Sequence, residues 1–103
     1  MGSSARRKGA EGERELAAFL RERGIEATRN ARNGISTDDI AHSLEGIHLE
    51  VKRTERAEPL KWSRQAEKDA GDRVPVVVWR SNGEPWRVIL RAEHFLHLIG
   101  EAR

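Results

Sequence analysis

Glu50 and Lys52 stand two residues apart in Ile47-His48-Leu49-Glu50-Val51-Lys52-Arg53, and an acid pair, Asp38-Asp39, precedes them. In a strand, period two puts Ile47, Leu49 and Val51 on one face and His48, Glu50 and Lys52 on the other. Such a triplet by itself describes an ordinary solvated strand face carrying an ion pair. The acid pair gives it weight, because Asp38-Asp39 opens the preceding strand, and a hairpin would bring one of those acids beside Glu50. Two adjoining carboxylates repel each other unless a divalent cation separates them, and ligation by oxygen alone favours Mg²⁺ or Mn²⁺ over zinc. A lysine beside that ion can stabilise developing phosphate charge or help orient a water, which is the chemistry of phosphodiester hydrolysis.

A third carboxylate stands out on helical phase. At about 100° per residue, Leu16, Ala17 and Leu20 fall within roughly 60° of Glu13, whereas Glu11 and Glu15 lie on the opposite side. Glu13 is therefore centred on the stripe that must bury itself, where a carboxylate needs a cation, a metal or a proton to offset its lost hydration. The bland alternative is a first-turn acid favoured by the helix dipole.

The elements that must position these groups follow from local signals. A helix is expected from Ala10 to about Arg23, stopped by Gly24. Ile25 to Arg29 suits a short strand, and Asn30-Ala31-Arg32-Asn33-Gly34 a loop. Asp39 to Leu44 and Ile47 to Arg53 alternate about Glu45-Gly46, a two-residue turn, and predict a β-hairpin. Pro59 starts a helix that Gly71 ends, with Leu60, Trp62, Ala66 and Ala70 along one side. Val74 to Trp79 is nearly all apolar, as a central strand would be. Trp86 to Leu90 gives a last strand and Glu93 to Ile99 a last short helix. The order helix, three strands, helix, strand, strand, helix implies an α/β fold with a mixed central sheet flanked by helices.

Composition bounds the rest. The 103 residues are 37% hydrophobic and 35% charged, enough for one small domain, read as 10–103 behind a flexible basic arm at 1–9. There is no cysteine, which excludes a disulfide framework and a thiolate zinc site and suggests a reducing, cytoplasmic setting. No apolar run approaches the roughly 18 residues of a membrane span, and the N-terminus lacks the apolar segment of a signal peptide, so a soluble chain with no membrane partner is expected. Net charge is only +2, but the bases are 15 Arg against 4 Lys and the pI is about 9.5. An anionic partner fits that balance.

Lys8-Gly9-Ala10-Glu11-Gly12-Glu13-Arg14, then Asp38-Asp39-Ile40, then Glu50-Val51-Lys52, then Gln65 resemble the PD-(D/E)XK nuclease superfamily, with its restriction-endonuclease-like core. Within it, the chain is most similar to archaeal-type Holliday junction resolvases and to small resolvase-like nucleases carried by phages. The resemblance covers about Lys8 to Val78. It implies that Asp39 is a metal-binding aspartate, Glu50 the second metal ligand, Lys52 the active-site lysine, Glu13 the helix-one glutamate and Gln65 a glutamine placed near the site. Val51 and Glu13 join Asp39 and Glu50 as metal positions. Asp38 stands where the family usually has proline and rivals Asp39, which is preferred because the apolar Ile40 follows it.

The resemblance further implies an endonuclease that uses Mg²⁺, with Mn²⁺ as substitute, on DNA, with branched or junction DNA favoured and a homodimer presenting two sites to two strands. A phage-encoded member would act in the host cytoplasm. Candidate DNA contacts are Arg6, Arg7 and Lys8 of the arm, Arg29, Arg32 and Asn33 about the loop, and Arg53. Two rivals stand beside this: a nicking or flap nuclease without junction preference, and a catalytically silent DNA-binding module of the same fold. His94 and His97 have helical spacing but no evident acidic or thiol partner, and Trp62, Trp79 and Trp86 lie in apolar patterns that suit a core or an interface.

Overall fold

Eight elements run α1 (Gly2–Glu22), β1 (Ala27–Arg29), β2 (Ile40–His42), β3 (Ile47–Arg53), α2 (Pro59–Ala70), β4 (Val74–Arg80), β5 (Arg87–Ile89) and α3 (Ala92–Leu98). They come from a computed structural model, which describes residues 2–30 and 38–101, with side chains from residue 7 onward. The order and type of the elements follow the expected series. The central sheet is mixed, in the order β3-β4-β5, with β3 parallel to β4 and β5 antiparallel to it. β4, the apolar strand, lies in the middle.

Two sequence expectations are corrected. Helix α1 begins at Gly2 instead of Ala10, so residues 2–9, expected as a flexible arm, are helical. Lys8 helps to anchor that first part, because its Nζ lies 3.0 Å from Glu55 Oε2 in the segment after β3. The predicted β2–β3 hairpin is also absent. β2 pairs antiparallel with β1, with Ala27 opposite His42 and Arg29 opposite Ile40, and makes a separate two-stranded sheet. The reason lies in the residues after β2. The Ser43 N–H donates to the Glu26 carbonyl and the Leu44 N–H to His42 Nδ1, which keeps the chain beside β1. Gly46 then turns at φ +74°, and its carbonyl accepts the Val74 N–H at 2.8 Å, so β3 starts alongside β4.

Alternation along β3 builds two layers. Leu49 and Val51 pack with Leu16, Ala17 and Leu20 of α1 and with Ala27 and Ile40, as the helical stripe requires. Burying a leucine such as Leu16 stabilises by about 1.5–3 kcal/mol. On the other face α2 lays Trp62 and Ala66 on Val77, with Trp79 and Ile89 around them. α1 approaches β3 closely at Gly12, where an added Cβ would lie 2.5 Å from Arg53 Cβ. Only a residue without a side chain fits there unless one element moves.

Candidate active site

Glu13 is 4% exposed among the α1 residues that face the core, and the cation its burial requires is Arg29, whose Nε donates to Glu13 Oε1 at 2.8 Å. Glu11 is exposed, as its helical phase demands. Glu15 is half-buried and is not the idle surface acid its phase suggests: its Oε1 accepts from Arg53 Nε at 3.1 Å and from Arg80 at 2.9 Å.

The acid pair divides its work. Asp39, at the mouth of β2, turns its carboxylate to β3, where Oδ2 accepts the Val51 N–H at 2.8 Å. This bond takes the place of the missing hairpin ladder and sets Asp39 against the residue between Glu50 and Lys52. Val51, with an apolar side chain, can offer an ion only its main-chain carbonyl. Asp38 points elsewhere. Its two oxygens take a two-pronged grip from Arg73 at 2.7 and 2.8 Å, and Oδ1 lies 2.5 Å from His48 Nδ1.

His48, which the sequence alone would allow on a solvated strand face, has no exposed surface at all. Its second nitrogen, Nε2, lies 3.0 Å from Glu50 Oε1, so the ring bridges Asp38 and Glu50. Burial disfavours charge on the ring, but hydrogen bonds to Glu50 and Asp38 outweigh it and raise the His48 pKa above its ordinary value. Burial alone would likewise raise the Asp38 pKa, yet hydrogen bonds from Arg73 and His48 hold it below the usual carboxylate range. The chain Arg73–Asp38–His48–Glu50 thus carries a hydrogen bond at each link.

Glu50 is itself 4% exposed and uses its two oxygens differently. Oε1 faces His48, while Oε2 lies 4.0 Å from Lys52 Nζ. Lys52 donates to Gln65 Oε1 at 3.2 Å, so α2 supplies the partner that aims the lysine. Asp69, one turn further along α2, brings a carboxylate oxygen to within 4.8 Å of ligand atoms of both His48 and Glu50. Among the described residues this is the group of three whose donors could hold an ion together.

The expected DNA contacts scatter. Arg53 is not a surface base: its side chain is 9% exposed and is held by Glu15, by Asn82 Oδ1 at 2.8 Å and by Glu55 at 3.6 Å. Arg29 is turned to Glu13, Lys8 to Glu55, and Arg7 is exposed. Arg32, Asn33 and the Arg6 side chain lie outside the described residues. Sequence reasoning missed the roles of Asp38, His48, Asp69 and Arg73. His48 shares the Glu50 face and Asp69 follows Gln65 by four, which are usable signals, whereas nothing local ties Arg73 to Asp38.

A buried glutamate on the first helix, an aspartate seated on the strand that carries Glu-Val-Lys, and a glutamine on the helix that follows match the residue pattern of the PD-(D/E)XK nucleases. The model of the archaeal Holliday junction resolvase (Hjc) family matches residues 4–97, and the chain belongs to that family of metal-dependent endonucleases. Among solved structures, the fold is similar to that of Archaeoglobus fulgidus Hjc, a Holliday junction resolvase from an archaeal hyperthermophile, with a TM-score of 0.60 and 23% identity over 81% of this chain and 72% of that one. No curated protein matches the chain.

Proposed function

We propose that the chain is a Mg²⁺-dependent endonuclease selective for branched DNA, four-way junctions above all. The observation that supports this most directly is the seat of Asp39 on the Val51 N–H, which anchors a second carboxylate to the strand that carries Glu50 and Lys52. Oxygen donors at Asp39, at Glu50 Oε2 and at the Val51 carbonyl suit a hard cation, and Mn²⁺ can substitute for Mg²⁺. An ion held by Asp39, Glu50 and the Val51 carbonyl would supply Lewis-acid stabilisation of the phosphate and an acidified water. Lys52 places a compact positive charge by the scissile phosphate, Gln65 holds that ammonium, and Glu13 with Arg29 closes the α1 side. The exposed Arg7, with Arg6, Lys8, Arg32 and Asn33, contacts the DNA backbone, and the single nuclease domain acts in the cytoplasm. The lack of cysteine accords with that setting.

A junction offers two scissile strands, and a pair of chains would meet them with two sites. The surface suited to pairing is an apolar groove of about 490 Å³ that includes Phe19, Leu44, Trp86, Phe95, Leu98 and Ile99. No residue of α3 is buried, and Phe95 and Ile99 are half exposed. A second copy of this chain, laying its own α3 there, would cover both apolar faces.

The test is cleavage of a fluorescent panel of four-way junction, flap, duplex and single strand, with Mg²⁺ or with EDTA. Mg²⁺-dependent cutting of the junction before the others is expected. Unaltered cutting in EDTA would refute the metal mechanism, equal cutting of all substrates would refute junction selectivity, and binding with no cutting in Mg²⁺ or Mn²⁺ would identify a silent module.

A further inference from the structure

We infer that the chain has a second cation site, on the opposite side of Glu50 from Asp39, for a zinc-class divalent ion ligated by His48 Nε2, Glu50 Oε1 and Asp69. The donor atoms of these three residues already lie within 4.8 Å of one another, and the His48–Glu50 pair is at 3.0 Å. A four-coordinate zinc with bonds of about 2.0–2.1 Å sets its donors about 3.3 Å apart, so a small rotation of the part-exposed Asp69 closes the set. The fourth position is left for water.

Independent support comes from the far side of the imidazole. A metal-bound histidine characteristically gives its other N–H to a carboxylate, which fixes the tautomer and the ring plane. Asp38 does this at His48 Nδ1, and Arg73 fixes Asp38 in turn through its two-pronged grip. Nε2 is thereby presented to Glu50 and Asp69 by a preformed support that needs no rearrangement. Arg73 balances Asp38, and Glu50 and Asp69 supply the carboxylates of the set. His48 would ligate through an unprotonated Nε2, so any proton held there leaves to solvent as the ion binds.

The donor set separates this ion from the one proposed at Asp39. One imidazole nitrogen with two carboxylates suits zinc, whereas oxygen donors alone suit Mg²⁺. Glu50 Oε2 still faces Lys52 when Oε1 binds the second ion. Because His48 and Glu50 belong to β3 and Asp69 to α2, the ion ties the strand to the helix that carries Gln65. An ion bound only by the folded chain stabilises that fold.

The site shares Glu50 with the proposed DNA chemistry but takes His48 and Asp69, which that chemistry does not use, and its assay contains no DNA, so the two can fail separately. The full chain is titrated with ZnCl₂ by calorimetry and melted with and without the ion. One zinc per chain and a raised Tm are expected, both retained in millimolar Mg²⁺. Asp69→Asn, at a part-exposed position where folding should survive, weakens zinc binding by about tenfold or more, His48→Gln abolishes it, and Asp39→Asn leaves it unchanged. Absence of saturable zinc binding in the parent, or equal losses in Asp39→Asn and Asp69→Asn, would overturn the assignment.

Discussion

Strand β3 carries a charged network at each end, and the two use the same side-chain chemistry for different purposes. At its start, Arg73, Asp38, His48 and Glu50 form a single file in which each group has a fixed partner and the last carboxylate keeps one oxygen for other work. At its finish, Arg53 gathers Glu15, Asn82 and Glu55, while Arg80 and Lys8 attach to the same acids. That second cluster draws α1, β3 and the turn after β4 together and leaves no acid aimed at a common point. A buried ion network therefore says little about chemistry until one of its members keeps a direction open.

Breaking the first network should have the larger effect. Asp38→Ala strands the wholly buried His48 and removes the partner of Arg73. For a fully buried pair the loss would be about 3–5 kcal/mol. Arg73 is 36% exposed on its side chain, so water takes over part of its pairing, and about 2–3 kcal/mol in a urea titration is expected. At the other end Glu15→Gln should lower stability by only about 1 kcal/mol, because Glu15 itself is part-exposed and Arg53 keeps Asn82 and Glu55. Equal losses would mean that the two networks bear load alike.

Gly12→Ala probes the packing beneath the second network. The added methyl meets Arg53 Cβ, an overpacking worth about 1–3 kcal/mol, against which the better helix propensity of alanine returns about 1 kcal/mol. A net loss of about 1 kcal/mol by thermal melting is expected, and a net gain would show that α1 can shift away from β3.

The networks also differ in their response to pH. The raised His48 pKa means that its contribution is whole below the unfolded value of 6.5 and is lost as pH rises through the folded value. The lowered Asp38 pKa means that its contribution is whole above the unfolded value of 3.8 and is lost as pH falls through the folded one. Both are in force near pH 5. The stability difference between the parent and His48→Phe should therefore be greater at pH 5 than at pH 9, whereas that between the parent and Glu15→Gln should be level over the same interval. The smallest effect belongs to the surface. Arg7→Ala should flatten the dependence of log K on log salt by about 0.9, the value of one phosphate left without its cation, with no change in substrate preference.

What the sequence can say depends on how far each fact reaches along the chain. The placement of Glu13 on the buried stripe, and of Leu49 and Val51 opposite Glu50 and Lys52, follows from period alone, so these are legible. The hairpin expectation fails because Glu45-Gly46 is good turn chemistry in either topology, and only the Gly46–Val74 hydrogen bond, 28 residues away, decides which strand β3 joins. Arg73 lies 35 residues from Asp38, and no local pattern connects them. The burial of His48 and Arg53 likewise depends on α2 and α1 closing over β3. The choice of Asp39 over Asp38 rests on the apolar Ile40, which is wholly buried and fixes the phase in which Asp39 meets β3.

Cleavage of a four-way junction across a Mg²⁺ titration, with the melting of each protein recorded alongside, should separate the two adjacent acids. Asp39→Asn is predicted to fall to the level of the EDTA control with Tm nearly unchanged. Asp38→Asn is predicted to melt lower and to keep measurable cleavage, reduced by about 10–100-fold, because it acts on Glu50 only through His48. An Asp39→Asn protein that still cuts, beside an Asp38→Asn protein that folds as well as the parent and cuts nothing, would make Asp38 the metal ligand in place of Asp39.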